Sequence, residues 1–548
     1  MEDCLEDALS SLLTIYLRRY KTKKHTLFKR GDNMPAKKNK VFAAIDVGSY
    51  EICMKIFELS AKWGMKEIDC LRHKVELGTQ TYRTGKVDNS SVGELIKVLK
   101  DFSQVMNTYK VDDYVAYGTS AIREMKNSRI ILNQIKVKTG IEIQQISNAE
   151  QRFLDYKSVA AKMGDFLEDM DADTVIVDIG GGSIQISLFE NNTLVTTQNL
   201  KLGVLRLWES LRVLNAKSSA FEELIGELCV NQLQVFKKLY LKEKLIPNLI
   251  IVDDYLSPVL QKELKDGTSH MNSEEFMAFL QSIRNVPMRE MAKRYHIGED
   301  QAILLYICAV LVTNIKSIMQ SEFLYTPGVT LTDGIAYEYA EKEKYIKPIH
   351  DFEQDIIVCA KNISKRYMGS KKRAETLEQI SLTIFDSMKK QHGLGKRERL
   401  LLQIAATLHD CGKYISLIDL AECSYHIIKS TEMIGLSQME QEIVANVVKY
   451  NHSDFPYYEG IRKDLGISEE EYLTIAKLTA ILRVANGLDR SHRQKFRNIK
   501  AIVKDSELII TTVNAVDTTL ERGLFKERAA FFEEVFSIKP VIRIKQKE

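Results

Sequence analysis

A glycine-rich turn led by an aspartate follows an apolar strand at two places in this chain, and this repetition constrains the fold most. The predicted strand Val41–Ile45 ends in Asp46-Val47-Gly48-Ser49. The predicted strand Thr174–Ile179 carries Asp178 and ends in Gly180-Gly181-Gly182-Ser183. The two copies are about 130 residues apart, whereas solenoid repeats recur every ~20–50 residues. The repetition therefore indicates an internal duplication of one supersecondary unit.

Both turns have the chemistry of a phosphate-binding loop. Glycine lets main-chain N–H groups approach an anion closely because no Cβ intervenes, and Ser49 and Ser183 add hydroxyl donors. Asp46 and Asp178 are placed to hold a magnesium ion through water, which would neutralise phosphate charge. Either turn alone is also compatible with a simple hairpin. The pair favours two loops that face each other across a cleft and clamp a phosphate chain.

The order of the predicted elements indicates several domains, as expected because 548 residues exceed a single hydrophobic core. Strands and helices alternate up to about residue 345, including one helix over Ser120–Lys138, and this order predicts a layered α/β fold. Helical patterns follow, and a β pattern returns after Phe496. The predicted units are a disordered basic extension (1–39), two α/β domains (40–160 and 161–345), a helical domain (346–497) and a small αβ unit (498–548).

Composition excludes several classes of protein. The net charge of +3 gives no indication of a DNA-binding protein. No apolar run approaches the ~20 residues that span a bilayer, so we expect no membrane partner. Eight cysteines are scattered without C-x-x-C spacing, which favours reduced thiols and a cytoplasmic location.

Several segments resemble, in the same order, the motifs of the Ppx/GppA phosphatase family, and they cover roughly residues 40–345. The similar segments are Phe42–Ser49, Gly118–Arg123, Ile146–Leu154, Val177–Ile186, Lys201–Val204 and Leu331–Gly334. A second resemblance runs through the helical region and includes Leu482–His492. The resemblance implies tandem actin-like (ribonuclease H-like) domains, followed by an all-helical HD-type domain and the small C-terminal αβ unit.

The resemblance also implies an activity, which is magnesium-dependent hydrolysis of terminal phosphoanhydride bonds in polyphosphate or guanosine pentaphosphate. A cytoplasmic homodimer that binds polyphosphate or guanosine penta- or tetraphosphate is the matching expectation. Arg123 is the candidate clamp, since its guanidinium can bind two phosphate oxygens at once. The expected phosphate-binding set is Gly48, Ser49, Thr119, Gly180, Gly181, Gly182 and Ser183.

The chain departs from the family pattern at positions that would carry charge. The family's catalytic glutamate falls on Gln151, which can orient a water but cannot accept its proton. Glu150 keeps a carboxylate one position earlier, although a helix would point it about 100° away. Gln185 replaces another carboxylate, and Asp253 and Asp254 stand where the family has phosphate donors. Losing a general base typically costs ~10²–10⁴ in rate.

The helical region contains His409 and Asp410, the pair that names HD phosphohydrolases. The upstream histidine of such a site falls on Arg373, and the downstream aspartate falls on Asn486. Two adjacent ligands cannot hold a catalytic metal, so we expect His409 and Asp410 to be structural. A basic run suited to a polyanion channel is Lys371, Lys372 and Arg373.

Three function classes follow from these residues. The leading one is the phosphoanhydride hydrolase. The second is a weakened or inactive relative that binds polyphosphate or a guanosine alarmone as a regulatory protein. An actin-like sugar kinase is less favoured, because no kinase signature accompanies the loops.

Overall fold

The computed structural model describes residues 38–545, except 165–171, 192, 265–269, 461–465 and 514–516. All but the last two residues of the predicted extension (1–39) lie outside this range. The strands are β1 (Lys40–Val47), β2 (Glu51–Ser60), β3 (Gly64–Lys74), β4 (Asp113–Gly118), β5 (Ile143–Gln145), β6 (Thr174–Ile179), β7 (Ile184–Glu190), β8 (Thr193–Leu200), β9 (Asn248–Asp253), β10 (His270–Asn272), β11 (Phe323–Tyr325), β12 (Lys500–Lys504), β13 (Glu507–Val513) and β14 (Lys539–Lys545).

The α-helices occupy both halves of the α/β region and nearly all of the segment that follows it. They are α1 (Leu77–Thr84), α2 (Asn89–Thr108), α3 (Ser120–Glu124), α4 (Ser128–Thr139), α5 (Asn148–Met163), α6 (Val204–Val213), α7 (Phe221–Phe236), α8 (Ser257–Glu263), α9 (Ser273–Ile283), α10 (Met288–Tyr295), α11 (Glu299–Met319), α12 (Leu331–Lys342), α13 (Phe352–Arg366), α14 (Lys371–Ser387), α15 (Lys389–His392), α16 (Lys396–Leu408), α17 (Leu420–Ser430), α18 (Gln438–Tyr450), α19 (Glu469–Leu488) and α20 (Thr519–Phe536).

The first two sheets are built in the same way. The first has the strand order β3-β2-β1-β4-β5, and the second has β10-β11-β9-β6-β7-β8. In each, an antiparallel three-stranded meander is extended beyond its first strand, β1 or β6, by two parallel strands, and β10 adds an antiparallel strand at the edge of the second sheet. This common topology confirms the duplication and the tandem α/β class that the two turns predict. It also brings the ends of β1 and β6, with their aspartates, to equivalent places.

Helix α12 leaves the second sheet and packs against the first. Gly334 makes this approach possible, because a Cβ there would lie 2.1 Å from the carbonyl oxygen of Leu154 on α5. Beside it, the buried Nζ of Lys55 lies 2.9 Å from the Asp333 carboxylate. The two halves of the α/β region are therefore joined by packing and by an ion pair at this crossing.

One predicted helix is interrupted. The segment predicted as Ser120–Lys138 forms α3 and α4, with Met125 in an extended conformation between them. The Met125 side chain is buried, and the N–H of Lys126 donates to the Gly85 carbonyl. The side chain of Asn127 donates to the Val87 carbonyl. Tertiary hydrogen bonds to residues 85–87 thus replace one turn of helix.

Helix α11 is the most apolar helix. By length and composition it could cross a membrane, with a mean hydropathy of 2.0 over its 18-residue window. The expectation that no apolar run approaches bilayer-spanning length is therefore wrong for this segment. Two thirds (67%) of that window is buried inside the protein, because the helix forms part of the core around the second sheet.

The C-terminal region confirms the predicted helical part and the small αβ unit. Helices α13 to α19 enclose a core that is continuous with α5 and α12. Strands β12 and β13 are antiparallel, and β14 pairs in parallel with β13. Helix α20 connects β13 to β14.

Candidate active site

The two aspartate-led turns line one cleft of about 420 Å³. Each is closed by the same hydrogen bond, from the Gly48 N–H to the Glu51 carbonyl and from the Gly180 N–H to the Ser183 carbonyl. A Cβ added at Gly181 would lie 2.9 Å from the Ser49 Cβ, so the turns are in contact. The prediction that they face each other across a shared gap is confirmed.

Most of the residues predicted to bind or cleave phosphate, or to hold magnesium, line this cleft, and three of them do not. Those that line it are Asp46, Gly48, Ser49, Thr119, Gln151, Asp178, Gly180, Gly181 and Ser183. The three that lie elsewhere are Arg123, Glu150 and Gly182.

Glu150 faces away from the cleft. Its carboxylate accepts a hydrogen bond from the Ser147 N–H at 2.8 Å, while the Ser147 hydroxyl accepts one from the Glu150 N–H. This reciprocal pair caps the N-terminus of α5. The Glu150 side chain lines a different cavity, of about 1190 Å³. Its position does not fit the predicted role of a general base in the cleft.

Arg123 lies behind Gln151 and does not line the cleft. Its guanidinium donates to the Ile146 carbonyl (2.9 Å), to Asn148 Oδ1 (2.5 Å) and to Gln151 Oε1 (3.2 Å). Gln151 Nε2 in turn donates to Asp178 Oδ2 at 3.1 Å. The predicted phosphate clamp is therefore a positioning residue, which fixes the amide of Gln151 against the carboxylate of Asp178.

Gly182 provides space rather than a cleft wall. A Cβ there would lie 2.2 Å from the Tyr82 hydroxyl, which is hydrogen-bonded to Ser49 and to Ser120 at 2.6 Å each. The carbonyl of Gly182 accepts a hydrogen bond from Arg206 Nε at 2.9 Å. Arg206 also reaches the Glu124 carboxylate at 2.7 Å, and so connects the second half of the α/β region to the first.

The cleft carries an excess of acidic side chains, with six carboxylates against two basic groups. The acids are Asp46, Glu51, Asp155, Asp178, Asp253 and Asp254, and the bases are Arg72 and Lys262.

Three of the six carboxylates have structural partners. Asp253 accepts hydrogen bonds from the main-chain N–H groups of Tyr255 and Ser257 at the start of α8. Arg72 lies 2.5 Å from Glu51 and 2.8 Å from Asp254. Asp253 and Asp254 would repel a phosphate, and these partners offset part of that repulsion.

The other three carboxylates, of Asp46, Asp155 and Asp178, have no lysine or arginine nitrogen within 4 Å among the described residues. Burial raises the pKa of Asp46 and that of Asp155, and it raises the pKa of Asp178 to about 7. Nearby carboxylates add to each shift. Asp46 Oδ1 and Asp155 Oδ2 are buried and accept no hydrogen bond.

These unsatisfied oxygens fit a divalent cation. Magnesium is usually held by one or two carboxylates together with water and phosphate oxygens. The described residues contain no preformed group of three or more His, Cys, Asp or Glu side chains that could hold a metal ion. The cleft therefore suits a cation that is held by one or two carboxylates and keeps water or phosphate oxygens as its other ligands.

Sequence reasoning missed Asp155 and Arg72. Asp155 follows Gln151 by four residues on a helix, so the two share a face, and this spacing could have identified it. Arg72 lies on β3, a strand that the sequence did not predict, and only the pairing of β3 with β2 brings it to the cleft.

In the helical region, Arg373 is buried, with only 3% of its surface exposed. Its guanidinium donates to Asn486 Oδ1 at 2.7 Å and lies 3.9 Å from Asp410 and 3.6 Å from Asp489. The expectation that Arg373 lines a polyanion channel is therefore wrong, because burial and these partners occupy it. Its neighbours Lys371 and Lys372 are exposed, and their role in such a channel stays a prediction.

His409 is completely buried beside this arginine, and burial lowers its pKa to about 3, so the imidazole is neutral. Its Nδ1 lies 2.8 Å from the Ala406 carbonyl, and its own carbonyl lies 2.8 Å from His452 Nε2. The structure thus brings together the positions at which the resemblance places an HD-type site. The guanidinium of Arg373 lies among the acidic groups there.

Relatives of known name share parts of this chain. Exopolyphosphatase 1 of Mycobacterium tuberculosis (strain ATCC 25618 / H37Rv) is 24% identical over 164 residues, which are 30% of this chain and 46% of that protein. The chain thus matches less than half of that relative. Guanosine-5'-triphosphate,3'-diphosphate pyrophosphatase of Vibrio atlanticus (strain LGP32) is 19% identical over 470 residues, which are 81% of this chain and 86% of that protein.

Solved structures of similar proteins align with just over half of this chain. An exopolyphosphatase from Cytophaga hutchinsonii aligns with a TM-score of 0.47 at 16% identity, over 56% of this chain and 100% of that chain. The Aquifex aeolicus member of the Ppx/GppA family aligns with a TM-score of 0.46 at 20% identity, over 56% of this chain and 99% of that chain.

Two family models match the sequence in consecutive regions. Residues 56–343, more than half of the chain, match the Ppx/GppA phosphatase family, and residues 358–523 match domain III of the Ppx/GppA phosphatases. The first match contains the second turn, Gln151 and Asp155, and the second contains the buried Arg373. This chain belongs to the Ppx/GppA phosphatase family.

Proposed function

We propose that this protein hydrolyses a terminal phosphoanhydride bond of polyphosphate or guanosine pentaphosphate with the help of magnesium. The observation that carries the proposal is the meeting of two aspartate-led turns in one cleft whose acidic residues exceed its basic ones. Proteins named as exopolyphosphatase and as guanosine pentaphosphate pyrophosphatase are among its relatives, which supports the same substrate class.

The second turn is oriented to bind an anion. The carbonyls of Gly180 and Gly181 accept hydrogen bonds from the N–H groups of Val204 and Arg206, and that of Gly182 accepts one from the Arg206 side chain. A planar trans peptide directs its N–H opposite to its carbonyl. The N–H groups that follow these three carbonyls therefore point away from α6. A phosphate would be bound on that side of the turn, opposite α6.

Magnesium, when bound, would neutralise phosphate charge, and Asp46 and Asp178 are the residues that would hold it. Ser49, Thr119 and Ser183 line the same cleft and would donate hydroxyl hydrogen bonds to phosphate oxygens. Gln151, fixed by Arg123, would orient an attacking water through its amide. Water would attack the terminal phosphorus, the bridging P–O bond would break with its electron pair on the shortened chain, and the proton of the water would pass to an oxygen of the released phosphate.

A phosphate-binding regulatory protein is the second candidate, and one observation favours it. Gln151 is neutral, and both ends of its amide are already engaged, by Arg123 and by Asp178. A water held there would lack a carboxylate at the position where relatives carry one. The cleft would then bind the same ligands and release phosphate slowly or not at all.

One assay separates the two candidates. Phosphate release from polyphosphate and from guanosine pentaphosphate is measured with and without magnesium, in parallel with direct binding of each ligand. Magnesium-dependent release that is lost in Asp178→Ala supports the hydrolase. Binding without release supports the regulatory protein, and neither binding nor release refutes both. The cytoplasmic homodimer expected from the resemblance stays a prediction, which fractionation and light scattering can test.

A further inference from the structure

Asp155 is a buried carboxylate that the proposed chemistry has not yet used. It lies on the second turn of α5, four residues after Gln151, and only 3% of its surface is exposed. It lines the cleft between the two turns. Its Oδ2 is buried and has no hydrogen-bond partner. A carboxylate oxygen in this state is costly unless something positive or hydrogen-donating reaches it.

A second carboxylate, that of Asp178, lines the same cleft beside Asp155. Burial raises the pKa of Asp155, and the neighbouring Asp178 carboxylate raises it further. On its other side, Asp178 receives the amide of Gln151 at 3.1 Å. Among the described residues, neither aspartate has a lysine or arginine nitrogen within 4 Å, because Arg72 is engaged by Glu51 and Asp254. Two adjacent buried carboxyl groups are stable when they share a proton or when a cation lies beside them, and a bound cation takes the place of the shared proton.

Gln151 makes this arrangement possible. A glutamate at position 151 would add a third carboxylate within reach of Asp178. The neutral amide donates a hydrogen bond instead, and thereby holds Asp178 in place. Residues 151 and 155 are one helical turn apart on the same face. The chain thus carries its negative charge at position 155 and a hydrogen-bond donor at position 151.

We propose that Asp155 and Asp178 together form the cation-binding element of the cleft and bind one divalent cation, directly or through a coordinated water. Asp46, whose Oδ1 is also unsatisfied, lines the same cleft at the other turn and would hold the same cation through water. Two carboxylates with water and phosphate oxygens meet the usual requirements of magnesium. The inference rests on the proposed function for the identity of the cation and assigns a residue that its mechanism does not include.

The test measures cation binding without any reaction. Binding of Mn²⁺ alone to the full-length protein is followed by electron paramagnetic resonance, and binding of Mg²⁺ by calorimetry, both at pH 8. We expect one site in the wild type and at least a tenfold loss of affinity in Asp155→Asn. Glu150→Gln is the matched control, because Glu150 lies on the same helix but lines the other cavity. Its affinity for Mn²⁺ should equal that of the wild type.

The outcomes separate this inference from the hydrolase proposal. Wild-type affinity in Asp155→Asn, or no Mn²⁺ site in the wild type, overturns the inference even if phosphate release is observed. Loss of Mn²⁺ binding in a wild-type-like fold supports it, even if the wild type releases no phosphate and the hydrolase proposal fails. Asp155→Ser is the second variant. Unfolding of both variants would also overturn the inference, since removal of a buried unpaired carboxylate should not destabilise the fold.

Discussion

Replacing Arg373 by methionine should destabilise the helical region, because it removes a buried positive charge that lies among several buried acidic and polar groups. Asp410 keeps a second cation, the Nζ of Lys413 at 3.2 Å, so the loss falls mainly on Asp489. Methionine keeps much of the aliphatic stem, so the change mainly removes the guanidinium. That group donates to Asn486 and lies within 4 Å of Asp410 and Asp489. Both aspartates are at most 4% exposed, so water cannot easily replace the lost partner.

The expected loss follows from the burial of these groups. Removing one partner of a buried ion pair typically costs about 3–5 kcal/mol. A unit of 150–250 residues loses about 2–4 °C in Tm for each kcal/mol, so Tm should fall by roughly 6–20 °C. The control is Lys372→Met, one residue earlier on the same helix and exposed, which should change stability by no more than about 0.5 kcal/mol.

Differential scanning calorimetry and circular dichroism at 222 nm would measure both variants at two pH values. In Arg373→Met, the folded-state pKa of Asp489, which burial already raises above its usual value, should rise further. The folded form then binds more protons, so its stability is lost as pH rises. The deficit should therefore be smaller at pH 5 than at pH 8. The reasoning would be refuted by a fall in Tm of less than 2 °C, or by a loss of stability that is equal at both pH values.

Three further outcomes are expected. Gly203→Ala should reduce polyphosphate binding at least tenfold in binding assays, because the new Cβ would lie 2.3 Å from the backbone of Gly182 and Ser183. Gly93→Ala is the control and should leave binding unchanged, because nothing lies within 4 Å of its new Cβ. Gln151→Glu should raise magnesium-dependent phosphate release at least tenfold, since a positioned base is worth ~10²–10⁴ in rate; an unchanged rate would contradict the role given to this position. In EDTA, calorimetric Tm should fall as pH rises from about 4 through the raised pKa of Asp178, about 7, because the folded state keeps a proton that the unfolded state has lost. Magnesium should raise Tm more at pH 8 than at pH 5, and Asp178→Asn should flatten both trends.

The sequence predicted those parts of the site that depend on local structure. An apolar strand followed by an aspartate and glycines specifies its own turn, so Asp46–Ser49 and Asp178–Ser183 were assigned correctly before the fold was known. Their meeting in one cleft followed from the duplication. The four-residue spacing to Gln151 places Asp155 on the same helical face, but it does not predict that the carboxylate is buried, since aspartate is rarely buried.

Other residues depend on tertiary contacts. Arg72 reaches the cleft through strand pairing, and Arg123 turns toward the Ile146 carbonyl rather than toward a ligand. Arg373 was grouped with its two exposed lysine neighbours, although Leu377 and Ile380 follow it at helical spacing on the buried face. That periodicity predicts burial, and it outweighs the local run of charge.

Besides the packing of α12, two partly exposed charged pairs connect the two halves of the α/β region. Arg206 with Glu124 stands on one side, and Arg72 with Asp254 on the other. Dissolved ions weaken such attractions over a Debye length of about 8 Å at physiological ionic strength. A polyanion that enters the cleft would compete with Asp254 for Arg72. It would therefore weaken one of these two ion pairs between the halves. The entry of a polyanion into the cleft and its retention there should consequently depend on ionic strength. The cleft should open more easily at high ionic strength than in dilute buffer.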